Sequence, residues 1–437
     1  MRPEHSPDPC ISQDMKAIRL ALILLLVLTS GCQTQVSLMP TPLPMQKGLV
    51  DPFVTSTNPE TKSVQPRIQV FYATNRLGIN TPKGKEYLTL FDRKLRLGVA
   101  TLRFGKGDLN ATELHRVSTT EKRTKPIPIK LIQVDQIAEI DPDGPSHSLT
   151  AEARKFFSRL NHLLASSEFK DLIVYIHGAN NTFYRTTAHA AQFRHFTGRN
   201  AVILAFAWPS AASLLHYAVD VNNAARTVPV FVNFLRLLSQ HAQYRHLDLL
   251  AYSAGAQILS PALSTLAKSS QGKEWDKLRS QLRLGEVYFA APDLDLKHFL
   301  YELATYIDLV EHVTIAVNPD DSVLYFAALR HGRSRAGRPD PNELSPEETQ
   351  WVAQASRNMG FDILWVEPSL IPGLGKGGHS FWYSSAWVST DILIQLLLDK
   401  RPAERGLIPV EEADGTHIWT FPPDYPERLT EIIQRLE

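Results

Sequence analysis

Six apolar runs in this chain end in residues able to do chemistry. The most informative is Leu247 to Tyr252, which ends at Ser253 and is followed by Ala254, Gly255 and a helical pattern from Ala256 to Leu259. That order reads strand, sharp turn, helix. So tight a turn drives its central residue to positive φ and requires small neighbours where strand and helix approach. It presents a serine hydroxyl at a strand's carboxyl end, next to a helix N-terminus. The usual pattern is Gly-x-Ser-x-Gly, and here Ala251 replaces the first glycine. The other runs end at His177-Gly178-Ala179-Asn180-Asn181, Trp208-Pro209-Ser210, Ala291-Pro292-Asp293-Leu294-Asp295, Asn318-Pro319-Asp320-Asp321 and, through a glycine-rich loop, Gly378-His379-Ser380. In an open α/β sheet, reactive groups gather at such carboxyl ends.

A serine hydroxyl is a poor nucleophile at neutral pH. It needs a base within hydrogen-bond reach, and the base needs a carboxylate to fix its tautomer and stabilise the imidazolium. Serine, then acid, then histidine is the chain order of an α/β-hydrolase triad. His379, late in the chain on a Gly-rich loop, suits the base. Asp321 is the favoured acid, with Asp320 and then Asp293 as alternatives, the adjacent aspartates also reading as a helix cap and its neighbour. The oxyanion donors expected are the amides of Ala254 and Ala179, each worth about 3 kcal/mol of transition-state stabilisation. Asn180 and Asn181 read equally as orienters of that loop and as turn residues tolerating the left-handed region.

The rest of the chain must hold these groups in place. At 437 residues, 43% hydrophobic and 21% charged, it supports a large globular body. A net charge of +1 gives no reason to expect a nucleic-acid partner. From Asp171 onward, continuous apolar strands alternate with helices, which predicts a mostly parallel sheet covered by helices on both faces. Its strands are expected at 171–176, 201–208, 247–252, 285–291, 312–317 and 361–366. Helices are expected at 151–166, 184–197, 220–239 (with Pro229 kinking or restarting it), 296–304 and a closing 384–398. Alternating strands near 66–76, 95–104 and 127–134 predict antiparallel N-terminal edge strands. Residues Arg330 to Glu348 read as a surface excursion.

The N-terminus reads as a targeting segment. Ala17 to Leu28 has the form of a signal peptide's apolar core, too short for a comfortable membrane span. It ends in Leu28-Thr29-Ser30-Gly31-Cys32, which resembles the lipobox of bacterial lipoproteins. That resemblance implies cleavage before Cys32, lipidation of Cys32, and anchoring in the cell envelope, with the outer membrane expected since Gln33 follows rather than a retention aspartate. Met15-Lys16 is the more natural start of such a signal. The expected organisation is a signal peptide over 1–31, a disordered Pro/Thr/Ser-rich tether over 32–65 and an α/β-hydrolase domain over 66–437. Both cysteines, Cys10 and Cys32, precede that body, so it has no disulfide and no thiolate metal site. His195, His216 and His298 lack ligand-like spacing, and Gly373 to Gly378 leads into His379 rather than opening a helix after a strand. No metal and no cofactor are expected.

Several of these segments together resemble a little-characterised bacterial α/β-hydrolase family of the esterase/lipase superfamily. They are Phe71-Tyr72-Ala73-Thr74-Asn75-Arg76, His177 to Asn181, Phe206 to Ser210, Ala251 to Gly255, Ala290 to Asp293, Val313 to Asp321 and Gly378 to Phe381. The family pattern holds an HG-x-NN loop, an F-x-WPS strand end and a serine elbow, and the resemblance covers roughly Pro66 to Glu437. It implies a serine hydrolase fold and places the acid at Asp321. Tyr252 stands where the family often has histidine, and Asn318 where serine is usual.

The expected function is therefore ester hydrolysis of a small or lipid-like acyl substrate through an acyl-enzyme. The alternatives are a non-catalytic envelope scaffold, or an amide or thioester hydrolase or acyltransferase using the same triad. Phe206, Trp208, Tyr252, Phe381, Trp382, Tyr383 and Trp387 are candidates for an apolar acyl pocket, or for ordinary core packing.

Overall fold

The long apolar runs become strands because residues buried on both faces of a sheet leave no polar side to alternate with. In the computed structural model they are β4 (Leu172–Ile176), β5 (Val202–Phe206), β6 (Leu247–Tyr252), β7 (Leu284–Ala290), β8 (Val310–Val317) and β9 (Phe361–Trp365). Nearly every residue in them is buried. Before them come β1 (Arg67–Thr81), β2 (Gly84–Phe104) and β3 (Ile129–Ile140), and after them β10 (Ile408–Glu411) and β11 (His417–Thr420). The structure describes residues 35–54, 65–82, 84–107, 109–141, 149–211, 217–270 and 272–435. The signal segment, Cys32, residues 55–64 and His216 lie outside these.

All eleven strands form one sheet in the order β10-β11-β9-β8-β7-β6-β4-β5-β1-β2-β3. Strands β5, β4, β6, β7, β8, β9 and β11 run parallel, and β1 joins β5 in parallel. The expected antiparallel edge is β1-β2-β3. The opposite edge carries a hairpin, β10 against β11, that the sequence reading missed. The expected closing helix, Ala386–Leu398, is followed by that hairpin and a further helix, Tyr425–Gln434. Chain order reverses at β4, whose neighbours are β5 and β6. Such a switch opens a crevice above the strand ends, and it places His177 beside Ser253.

Helices with one apolar face cover the sheet. Ala151–Ser166 buries Phe156, Phe157, Leu160 and Leu164, and Thr150 caps it by accepting from the amide of Ala153. Tyr217–His241 runs through Pro229 as one helix, so the expected restart does not occur. Thr227 on one side of the proline and Val230, Phe231, Phe234 and Leu235 on the other stay buried, so packing outweighs the lost backbone bond. Among the described residues no helix is long and apolar enough to cross a membrane.

Two expectations change. Part of the expected tether, 37–54, packs onto the body, so Ser37–Glu437 forms one compact unit. Leu38, Met39, Leu43, Met45 and Phe53 are buried. The amide of Met39 donates to Gln192 Oε1 at 2.8 Å, that of Leu43 to Thr390 Oγ1 at 2.9 Å, and Arg123 donates to the carbonyls of Leu38 and Met39. These partners lie far away in sequence, so no local periodicity announces them. The 330–348 stretch also enters the body. Arg335 and Ala336 are buried, and the amide of Ala336 donates to the carbonyl of Leu294.

Candidate active site

The elbow forms as its small residues require. Ser253 has φ 51°, a strained value for a residue with a Cβ. A short 3₁₀ turn, Ser253–Gly255, leads into the Ala256–Lys268 helix. A Cβ on Gly255 would lie 2.6 Å from the carbonyl oxygen of Ile176 and 2.9 Å from that of His177. A Cβ on Gly178 would lie 2.8 Å from Ser253 Cβ. Both glycines therefore let the β4 loop press against the serine turn.

Ser253, His379 and Asp321 form one hydrogen-bonded chain. His379 Nε2 lies 2.8 Å from Ser253 Oγ, and His379 Nδ1 lies 2.6 Å from Asp321 Oδ2. An ionised carboxylate only accepts, so Nδ1 carries the ring proton and Nε2 presents its lone pair to the serine. Asp321 is fully buried, and its other oxygen accepts from the amide of Leu324 at 3.0 Å, capping the Ser322–His331 helix. It is thus both cap and orienter. Asn318 Nδ2 donates to the carbonyl of Gly378 at 2.7 Å, and Ser322 Oγ to that of Gly377 at 2.8 Å, tying the His379 loop to the end of β8.

The alternative acids are placed elsewhere. Asp320 is exposed, and its amide donates to Asn318 Oδ1. Asp293 is buried in an ion pair with Arg335, Nε to Oδ1 at 2.7 Å, and accepts from the Tyr217 hydroxyl at 2.6 Å. Its amide donates to the carbonyl of Ser253, so it braces the elbow rather than the histidine.

Asn181 and Asn180 divide the two roles read for them. Asn181 Nδ2 donates to the carbonyls of Gly178 and Ala179, and its amide donates to Ser210 Oγ. Asn180 takes the turn role, with φ 52°. Its amide donates to Asp220 Oδ2, while Asp220 Oδ1 accepts from the amide of Ala211. Beneath them Arg76, fully buried, donates to the carbonyl of Asn181 at 2.8 Å and reaches that of Ser210 at 3.5 Å. Burial lowers its pKa to about 9 against the opposing charge of Asp220, so the guanidinium stays charged at neutral pH. His177 stacks on Trp208 at 5.1 Å and 5°, and the Trp208 indole donates to the His177 carbonyl at 2.6 Å. Burial, then the Arg76 charge, pushes the His177 pKa well down, so its neutral ring donates to only one of two carbonyls, that of Gly178 beside Nδ1 at 2.7 Å or that of Trp208 beside Nε2 at 3.1 Å. Arg76, Ser210 and Asp220 were not singled out as site residues from the sequence. Arg76 and Ser210 lie inside quoted motifs, within β1 and just after β5, whereas Asp220, in the first turn of the Tyr217–His241 helix, had no such signal.

The candidate pocket aromatics separate into two groups. Tyr252 lies 5.2 Å from the His379 ring, and Trp382 and Tyr383 pack in turn on Tyr252, at 5.8 and 6.1 Å, and on His189. Phe206 packs on Phe231 and Phe234, Trp387 on Phe421 and Tyr425, and Phe381 is fully buried.

Among the described residues one group has metal-like closeness, which the sequence reading missed. The ligand atoms of Asp171, His246 and Asp399 lie within 4.8 Å of one another, near the amino ends of β4 and β6. Arg245 bridges both carboxylates there, so a guanidinium already occupies the cation's place.

With this geometry in view, the chain matches the family described as "Alpha/beta hydrolase of unknown function (DUF900)" over residues 152–372, just over half of its length. The chain belongs to that family. No curated protein matches it. This α/β-hydrolase is also similar to solved structures. A predicted CIB-like hydrolase from Thermoplasma acidophilum is 14% identical, covering 53% of this chain and 88% of that one, with TM-score 0.31. The poly(3-hydroxybutyrate) depolymerase LpqC from Bordetella parapertussis is 18% identical, covering 54% and 81%, with TM-score 0.33. An inhibited esterase B from Lactobacillus rhamnosis is 13% identical, covering 53% and 76%, with TM-score 0.31.

Proposed function

We propose that this α/β-hydrolase is a serine hydrolase that cleaves a carboxylic ester through an acyl-enzyme. The observation that carries the reading is the continuous chain from Asp321 through His379 to Ser253, with contacts of 2.6 and 2.8 Å. His379 Nε2 takes the Ser253 proton as Oγ attacks the ester carbonyl. The imidazolium then protonates the departing alkoxide, and Asp321 stabilises the ring's charge. Water, deprotonated by His379, attacks the acyl-enzyme and releases the acid. The amides of Ala254 and Ala179 hold the oxyanion in both halves, on a loop buttressed by Arg76, Asn181 and Asp220. Tyr252, 5.2 Å from the His379 ring, gives that side of the histidine an apolar neighbour.

The test is labelling by a fluorophosphonate probe together with turnover of p-nitrophenyl esters. The wild type labels, and Ser253→Ala and His379→Ala do not. Labelling of Ser253→Ala overturns the nucleophile assignment. Faster turnover of a matched anilide or thioester moves the substrate class away from esters. For location, the lipobox-like run ending at Cys32 supports a lipid anchor in the bacterial envelope. Mass spectrometry of the mature N-terminus tests it, and an unmodified Cys32 refutes it.

A further inference from the structure

The Ser322–His331 helix leaves an apolar face without a partner at the rim of the site. Of its ten residues only Leu324 is buried, while Tyr325, Phe326 and Leu329 are 45, 67 and 63% exposed. Scattered exposed apolar residues are ordinary, but these three sit on neighbouring turns of one helix. Both ends of the helix are tied to the site. Asp321 caps one end while it orients His379. At the other, the His331 ring lies 5.7 Å from that of Tyr217, whose hydroxyl donates to Asp293 behind the elbow.

Charge says what covers this face. From Ser322 to Arg338 the chain has four arginines and no acidic residue. Arg335 is taken by Asp293, whereas Arg330 and Arg333 are exposed and the Arg338 guanidinium lies 5.0 Å from the Tyr325 ring centre. Arg333 approaches Asp295 only at 3.8 Å. A second copy docked on the same face would bring like charges together, whereas an anionic surface neutralises them. A short helix with aromatic and leucine side chains on one side and arginines beside them is built to lie in a lipid interface.

We propose that this helix docks the protein on an anionic phospholipid surface. Tyr325, Phe326 and Leu329 enter the acyl layer, Arg330, Arg333 and Arg338 meet the phosphates, and the site faces the bilayer from which it draws a lipid ester. The docking stands on its own observations, and the choice of substrate rests on the hydrolase reading above. The experiment uses the full chain with Phe326→Trp, mixed with brominated phosphatidylcholine vesicles with and without phosphatidylglycerol. The expected result is quenching beyond that of the wild type only when phosphatidylglycerol is present, abolished by adding Arg330→Glu and Arg333→Glu. In the full chain, Phe326→Ser with Leu329→Ser lowers turnover of a vesicle-borne long-chain ester by roughly tenfold or more, at unchanged turnover of a short soluble ester. Quenching that is absent or indifferent to phosphatidylglycerol overturns the proposal. So does a vesicle-free dimer that these serine substitutions dissociate, because a second copy then owns the face. Quenching as expected, with no fluorophosphonate labelling of Ser253, leaves the docking surface standing and removes the hydrolase reading.

Discussion

Asp321→Asn separates the two tasks of one carboxylate. One oxygen accepts from His379 Nδ1 at 2.6 Å and the other from the Leu324 amide at 3.0 Å. Asparagine caps a helix as well as aspartate does, so its oxygen keeps the Leu324 bond. Its amide nitrogen then faces His379 and donates to Nδ1. The ring proton moves to Nε2, where it points at Ser253 Oγ, and the serine loses its base. Loss of the correct tautomer in such a triad costs about 10⁴ in turnover, or roughly 5.5 kcal/mol of barrier. Asp321→Ala loses the same activity and the cap as well. Both variants lose the charge at the helix N-terminus, so the difference between their stabilities isolates the cap, about 1 kcal/mol. The assay is turnover and fluorophosphonate labelling rate, with urea denaturation of both variants beside the wild type. Turnover of Asp321→Asn within tenfold of the wild type refutes the orienting role. Equal destabilisation of the two variants refutes the cap.

Three other predictions follow from the same structure. Arg76→Met strips the donor from the carbonyls of Asn181 and Ser210 and the opposing charge from Asp220. We expect roughly 3 kcal/mol lower stability and a slower labelling rate, and a melt matching the wild type would contradict this. Gly255→Ala puts a Cβ against two backbone carbonyls and costs about 1–3 kcal/mol with loss of turnover, whereas Gly375→Ala, with open space around it, is silent in both measurements. Burial alone would lower the pKa of His312, but its hydrogen bonds to Asp362 and Glu286 outweigh that and raise it above 6.5. Its contribution to stability is therefore complete below pH 6.5 and lost as pH climbs through the raised value. A His312→Asn variant whose melting temperature falls with alkaline pH as steeply as the wild type's would exclude that assignment.

Much of the site was legible because its parts end apolar runs. Ser253 was readable from Ala251, Ala254 and Gly255, whose small size the elbow needs, and His379 from its place after the last long apolar run. The acid was legible as a ranking, with Asp321 ahead of Asp320 and Asp293. Asp320, Asp321 and Asp293 have similar local sequence, and the choice depends on the pairing of β8 with β9, which brings the His379 loop over Asp321. The Arg335 partner that occupies Asp293 lies in a stretch whose composition reads as surface. Arg76 was quoted as part of a motif without a role, because its partners are carbonyls on two other loops.

The sequence by itself determined the strand-helix alternation, the chain order of serine, acid and histidine, and the strain of the elbow. These are set by local periodicity and by the sizes of neighbouring side chains. Tertiary structure alone decided the Arg335 partner of Asp293, the burial of Arg76 under the Ala179 loop, the seating of residues 37–54 on the body, and the apolar face left open beside Asp321. Each depends on contacts between segments far apart in the chain, and no local pattern encodes which distant partner a side chain will meet.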